Sequence, residues 1–258
     1  MIDTHCHIND PVYISNPEKY VLEAKEAGIT KMLVVGYDLN SSRAAVEIAN
    51  RFPDVYAAIG IHPSEVKKAG HNDLKEIEKL IKDKKVIAIG EIGLDFYWDK
   101  DENVKREQAT YFKLQIELAN KHKLPIVIHC REASEAALEL MQKHKPHYGG
   151  IMHCYAGSLE MVKDYAKLGL LFGFGGVVTF KNAIRAKDVI KNIDKNLYVL
   201  ETDAPYLAPT PHRGELNHSK FLPLIVNEIA NLRGISPEEV ILEADNNFKR
   251  VFKLWRES

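Results

Sequence analysis

Five short segments carry the residue types of metal-assisted hydrolysis: Asp3-Thr4-His5-Cys6-His7, Gly90-Glu91, His129-Cys130-Arg131, His153-Cys154-Tyr155 and Glu201-Thr202-Asp203. Each ends a short apolar run that reads as a strand. One histidine after a strand says little. Histidines at 5, 7, 129 and 153 with Glu91 and Asp203, all where a strand hands over to a loop, point to one metal site built from several strands. His5 and His7 are two apart, so in a strand both rings leave the same face and can share a cation. Glu91 follows an apolar run that would not tolerate an unpaired carboxylate. Its two oxygens can bridge two cations, which an imidazole cannot do. The expected arrangement is therefore one metal on His5, His7 and Asp203, another on His129 and His153, and Glu91 between them. These donors accept magnesium, manganese or zinc, so the metal is left open.

Other residues surround this set. His62, in Gly60-Ile61-His62-Pro63, is expected at the same mouth as a supporting or phosphate-binding residue more than as a ligand. Arg131 follows His129 by two residues and shares its face. A guanidinium beside a cationic centre calls for an anion between them, so Arg131 is expected to clamp a phosphate. The plainer reading is a salt bridge to Glu132. Asp203 is expected to accept a proton from the attacking water, with Glu91 as its catalytic companion. Phe96, Tyr97 and Trp98 follow Asp95, and either stack on a base or pack their loop onto the rim. The basic run Lys181, Arg185, Lys187, Lys191 reads mainly as a solvated helix face, and His212-Arg213-Gly214 offers a further cationic contact. His71, His122, His144, His147 and His218 have no strand-end setting and receive no role. Gly173-Phe174-Gly175-Gly176 lacks the spacing and following helix of a dinucleotide loop.

The elements needed to bring these residues together can be read from periodicity. Strand-like runs cover 2–5, 32–35, 55–61, 86–90, 126–129, 150–153, 170–174 and 197–201. Helical patterns at 17–27, 42–52, 74–81, 104–122, 134–143, 159–168 and 183–190 separate them, and 220–233 follows the last strand. Ser236-Pro237-Glu238-Glu239 reads as a capping box, and 247–255 as a closing helix. Strict alternation implies parallel strands. An open doubly wound sheet would not bring so many strand ends to one point. A (β/α)8 barrel of the TIM type does, because every strand ends on one face. The expectation is an α/β protein with a single barrel domain over residues 1–258.

Bulk properties agree with this and exclude some classes. Lys plus Arg is 35 and Asp plus Glu is 36, a net charge of −1, so no global basic field recruits nucleic acid. A phosphate-bearing substrate must then be held by a few local groups. No apolar run is long enough to span a membrane, and the first residues lack the regions of a signal peptide. Three cysteines, each inside a strand-end motif, argue against a disulfide framework and for a reducing cytoplasm. Their alternation with histidines predicts that Cys6, Cys130 and Cys154 face outward toward the helices.

These motifs, with Gly90-Glu91-Ile92-Gly93-Leu94-Asp95, Pro125–Arg131 and Glu201-Thr202-Asp203-Ala204-Pro205 in order, resemble the TatD family of metal-dependent deoxyribonucleases. The resemblance runs from residue 2 to about residue 250. It implies the ligand set given above, two divalent ions, and removal of nucleotides from DNA, typically from the 3′ end of a single strand. It departs after Pro211-His212-Arg213-Gly214, where Glu215-Leu216-Asn217-His218-Ser219 replaces a basic residue and an Asn-Glu-Pro turn. Two other classes remain. One is hydrolysis of a non-nucleic or aminoacyl ester, such as D-aminoacyl-tRNA; a carbamylated lysine bridge would favour a general amidohydrolase, but strand four offers Glu91 instead. The other is a metal-dependent binding protein without catalysis, which the intact ligand set disfavours. No membrane and no obligate protein partner is expected.

Overall fold

In the computed structural model, which describes residues 1–252, eight parallel strands pair in chain order. The strands are β1 (Ile2–Cys6), β2 (Lys31–Val35), β3 (Val55–Ile59), β4 (Val86–Asp95), β5 (Ile126–Arg131), β6 (Gly150–Met152), β7 (Leu170–Phe174) and β8 (Tyr198–Leu200). Helices α1 (Pro17–Glu26), α2 (Leu39–Arg51), α3 (Asp73–Leu80), α4 (Glu102–His122), α5 (Ser134–Lys143), α6 (Leu159–Ala166) and α7 (Ile184–Asn192) lie between them. After β8 come α8 (Leu222–Arg233) and α9 (Pro237–Val251). β8 returns to β1 through a parallel bridge between Cys6 and Ala204, so the sheet is a nearly closed (β/α)8 barrel. Among the described residues no helix is long and apolar enough to cross a membrane.

Alternation along the strands builds two apolar layers. Leu33, Val35, Ile87, Val127, Ile151, Leu171 and Val199 point into the barrel. Their neighbours Val34, Ile89, Ile126, Ile128, Phe172 and Leu200 point outward and pack under the helices. Phe248 and Phe252, stacked at 4.2 Å, join the inner layer, while the Ile2 N–H donates to Asp245 on α9. α9 thus covers the N-terminal end of the barrel, opposite the strand ends that carry the chemistry. Cys6 lies in the outer layer and Cys130 packs against it, both as free thiols; Cys154 has left the strand and is half-buried.

Asp3 fastens the β1–β8 seam. Its buried carboxylate accepts from the Thr202 N–H at 3.0 Å, the Thr202 hydroxyl at 2.6 Å and the Ser219 hydroxyl at 2.5 Å. Burial lifts it to about 6, against the pull of those hydrogen bonds. Two backbone bonds complete the seam: Asp203 N–H to His5 O at 2.9 Å and His7 N–H to Ala204 O at 2.7 Å.

Several element boundaries differ from the sequence reading. β4 continues through Glu91 to Asp95, because Gly93 lets the chain come close to β5: a Cβ there would lie 1.9 Å from the His129 carbonyl oxygen. α2 starts three residues early, where Asp38 and Ser41 form a reciprocal capping box. β3 stops at Ile59, and Pro63–Lys68 forms a 3-10 helix. The capping box at Ser236 forms as expected, and the helix it opens runs unbroken to Val251, taking in the start of the closing helix expected at 247–255; residues 253–255 lie outside the described region.

Candidate metal centre

The strand ends bring His5, His7, His62, Glu91, His129, His153 and Asp203 into one cluster. Three donor groups have their ligand atoms within 4.8 Å of one another: His5, His7 and Asp203; His5, Glu91 and His153; His62, Glu91 and His129. Glu91 stands at the middle with its oxygens facing different partners. Oε2 lies 3.5 Å from His5 Nε2 and 3.7 Å from His7 Nε2. Oε1 lies 3.0 Å from His129 Nδ1, 3.7 Å from His153 Nε2 and 3.6 Å from His62 Nε2. Asp203 Oδ1 lies 3.5 Å from His7 Nε2, 3.7 Å from His5 Nε2 and 3.9 Å from His153 Nε2. Asp203 holds this position with a left-handed backbone (φ 57°), fixed by its N–H to His5 O and by the Tyr206 N–H to its own carbonyl.

The far nitrogen of each ring sets what the near one can do. His7 Nδ1 lies 2.8 Å from the Val35 carbonyl, an acceptor, so Nδ1 carries the proton and Nε2 turns a lone pair to the cluster. His129 Nε2 lies 3.0 Å from Asp95 Oδ2, which leaves Nδ1 as its ligating atom. His153 Nδ1 faces Glu201 Oε1 at 3.2 Å, which leaves Nε2. His62 is the opposite case. Its Nδ1 accepts the Ser64 N–H at 3.1 Å, so the proton of the neutral ring sits on Nε2. Burial holds that ring neutral, near 3. His62 therefore turns an N–H toward Glu91 Oε1, 3.6 Å away.

Electrostatics fit a cation. Among the described residues no Lys or Arg pairs with Glu91, Asp95, Glu201 or Asp203; their ion-pair partners are histidines alone. Glu201 is fully buried and its Oε2 has no hydrogen-bond partner. Carboxylates buried with so little positive charge are costly unless a cation completes the set. Burial pushes Glu91 up, yet His62, His153, His129 and His5 outweigh it and hold the carboxyl well below its usual range. Asp203 is lowered for the same reason, by His153, His7 and His5 against burial. Burial lowers His153, but Glu201, Asp203 and Glu91 reverse this and raise it to about 10. His5, crowded by burial and by His153, is lowered. The chemistry of the donor set suits divalent ions.

The model of the TatD-related DNase family matches residues 2–253. The chain belongs to that family. It is 37% identical over 255 residues to the uncharacterized metal-dependent hydrolase YabD of Bacillus subtilis, covering 98% of this chain and 99% of YabD. It is 31% identical over 262 residues to the uncharacterized metal-dependent hydrolase TatD of Mycobacterium tuberculosis, covering 98% of each. The crystal structure of YjjV, a TatD homolog from Escherichia coli K12, superposes with a TM-score of 0.92 at 27% identity over 98% of both chains. This TatD-family chain is thus a metal-dependent hydrolase using divalent metal, with its candidate donors at the barrel mouth.

Two acids that back the cluster histidines had no role from sequence. Asp95 fixes His129, and Glu201 faces His153 while accepting the Cys154 N–H at 2.6 Å. Both sit inside motifs already singled out, and acids that back up ligating histidines are a recurring device. The signal for Glu201 was Gly173, where a Cβ would lie 2.1 Å from Glu201 Oε2. Arg131 is exposed and makes no ion pair among the described residues; Glu132, its suggested partner, pairs with Lys100 at 3.1 Å. The departing segment 215–219 braces the loop that follows Asp203. Asn217 Nδ2 donates to the Thr202 and Tyr206 carbonyls at 2.6 Å each.

Proposed function

We propose that this TatD-family chain is a deoxyribonuclease that trims single-stranded DNA from its 3′ end with two divalent ions. The observation that carries the reading is the division of Glu91, one oxygen toward His5 and His7, the other toward His129 and His153. A carboxylate so placed is suited to bridge two ions, and paired ions are a recurring solution for phosphodiester hydrolysis. When bound, the ions supply Lewis acidity that polarises a phosphoryl oxygen and makes water more acidic.

The chain's own residues do the rest. Asp203 carries no proton at neutral pH, being held below its usual range by the surrounding imidazoles. It takes one proton from water as the oxygen attacks phosphorus and the bond to the leaving 3′ oxygen breaks; that oxygen takes a proton from solvent, leaving a 3′-hydroxyl on the shortened strand and a released 5′-nucleotide. His62 Nε2–H and Arg131 hold phosphate oxygens as negative charge builds. Glu91 stays ionised throughout. With few cations at the mouth, the substrate is gripped at an end and not along a groove. Each neutralised phosphate on a single strand adds a slope of about −0.7 to log affinity against log salt, so a shallow slope is expected.

The test is a panel of single-stranded DNA, RNA and aminoacyl-tRNA with magnesium, manganese or zinc. Stepwise shortening of single-stranded DNA from the 3′ end is the expected result. Preferred release of an amino acid from tRNA, with DNA left intact, would overturn the reading.

A further inference from the structure

Three aromatic residues follow Asp95, and the structure gives them different places. Phe96 packs back against the core. Tyr97 and Trp98 stay out at the mouth, 41% and 70% exposed. Their position is fixed, since both backbone N–H groups donate to Asp95 Oδ1, at 2.9 and 3.1 Å. The other oxygen of the same carboxylate faces His129 Nε2 at 3.0 Å. One side chain therefore sets both a metal-facing ring and two exposed aromatic rings. The Phe96 N–H also donates to the Arg131 carbonyl at 2.9 Å, tying the segment to the end of β5. The Arg131 guanidinium lies 4.0 Å from the centre of the Tyr97 ring and 5.5 Å from that of Trp98. It makes no ion pair among the described residues. Arg131 also shares a cavity of about 380 Å³ with Arg185, which likewise has no ion pair among the described residues.

We propose that Tyr97, Trp98 and Arg131 form a stacking platform for the unpaired nucleobase next to the scissile phosphate, an inference that rests on the nuclease reading above. The indole packs edge-to-face on Tyr97 at 4.8 Å, yet most of its surface stays uncovered, and stacking on a base would cover it. In a duplex the faces of a base are already stacked, so the platform selects single strands or frayed ends. Every base has a π-face, so it tolerates sequence. Arg131 adds a cation beside the rings and reaches the flanking phosphate, and Arg185 extends the positive charge to the next one. Because Asp95 joins platform and centre, the stacked base is held in register with the ions.

Trp98 is one of two tryptophans, so replacing Trp255 with Phe makes the indole signal report on it alone. The magnesium-loaded chain is titrated with short oligothymidylate carrying non-hydrolysable methylenephosphonate linkages, and with an abasic chain of equal length. Fluorescence should be quenched by the first and not by the second. Trp98→Ala, followed by anisotropy of a labelled strand, should weaken oligothymidylate binding about tenfold, to the level of the abasic chain, with Trp98→Phe between. Equal wild-type affinity for the two chains, or oligothymidylate affinity unchanged in Trp98→Ala, overturns the platform while DNA hydrolysis continues. A chain that binds neither strand and hydrolyses no DNA removes the nuclease reading and the platform with it.

Discussion

The two halves of the donor cluster are backed by different chemistry. His7, on the β1–β8 side, is anchored by a neutral carbonyl, and His5 Nδ1 is buried without a partner. On the β5–β6 side each ring is backed by a carboxylate, Asp95 behind His129 and Glu201 behind His153. A carboxylate makes the imidazole a stronger donor to metal and also a stronger base. Protons therefore compete in both halves, where His7 is raised against burial by Asp203 and Glu91, His129 is raised, and His153 reaches about 10, whereas His5 is lowered by burial. The barrel mouth thus holds its protons most strongly at the carboxylate-backed His153 and least at the unbacked His5.

Breaking the join should have the largest effect. Glu91→Ala removes the carboxylate whose two oxygens are divided between the halves, so both should lose metal and turnover should fall to background. His5→Ala should deplete mainly one half. Elemental analysis decides: full metal content in Glu91→Ala would rule out the bridge.

Asp203→Asn comes next, because it separates holding metal from moving a proton. Asn keeps the shape and a carbonyl oxygen for ligation, yet it cannot accept a proton near neutral pH. The variant should retain much of its metal and lose roughly 10²- to 10⁴-fold in turnover, the range for general acid–base catalysis. If saturating manganese restores the rate, Asp203 is only a ligand.

What the sequence made legible follows the same division. The clustering of the candidate donors at strand ends could be read, since apolar alternation marks where a strand stops and His, Glu or Asp stands out there. The barrel followed from the number and order of those strands. The acids behind the ligands could not be assigned, because Asp95 and Glu201 act through contacts between neighbouring strands. Asp95 reaches across the β4–β5 pairing, and Glu201 fits only because Gly173 of β7 leaves it space. The direction of His62 was equally hidden. It depends on one backbone N–H, that of Ser64, which no residue type encodes.

Smaller effects should sharpen the difference between the halves. Asp95→Asn and Glu201→Gln should each lower metal affinity about 10- to 100-fold, confined to the second half. The pH dependence has a definite sign. A cation entering beside His153 must displace a proton that the metal-free ring keeps at neutral pH, so binding releases protons and affinity rises with pH. Glu201→Gln removes the leading cause of the raised value, so its affinity should depend less on pH than that of the wild type. Calorimetry in buffers of different ionisation heat measures the protons released; equal release by both proteins would contradict the role of Glu201.

The smallest expected effect on activity tests the other half through its scaffold. Asp3 touches no candidate ligand side chain, but its carboxylate accepts from Thr202 and Ser219 and so holds β1, with His5 and His7, against the segment carrying Asp203. Its carboxyl is raised from 3.8 to about 6 by burial, so between those values the folded chain binds the proton more tightly than the unfolded one. That stabilisation is complete below about pH 4 and is lost as pH rises through about 6, a change of about 3 kcal/mol. Asn cannot titrate, and its amide can donate to the hydroxyls that the carboxyl meets when protonated. Asp3→Asn should therefore gain stability relative to the wild type between pH 4 and pH 7, read from urea midpoints in the presence of chelator. Its second-half metal should be untouched, and its turnover should change less than in any variant above. A stability difference that stays constant across this range would show that Asp3 is already ionised in the fold, and that the seam is held by a charge.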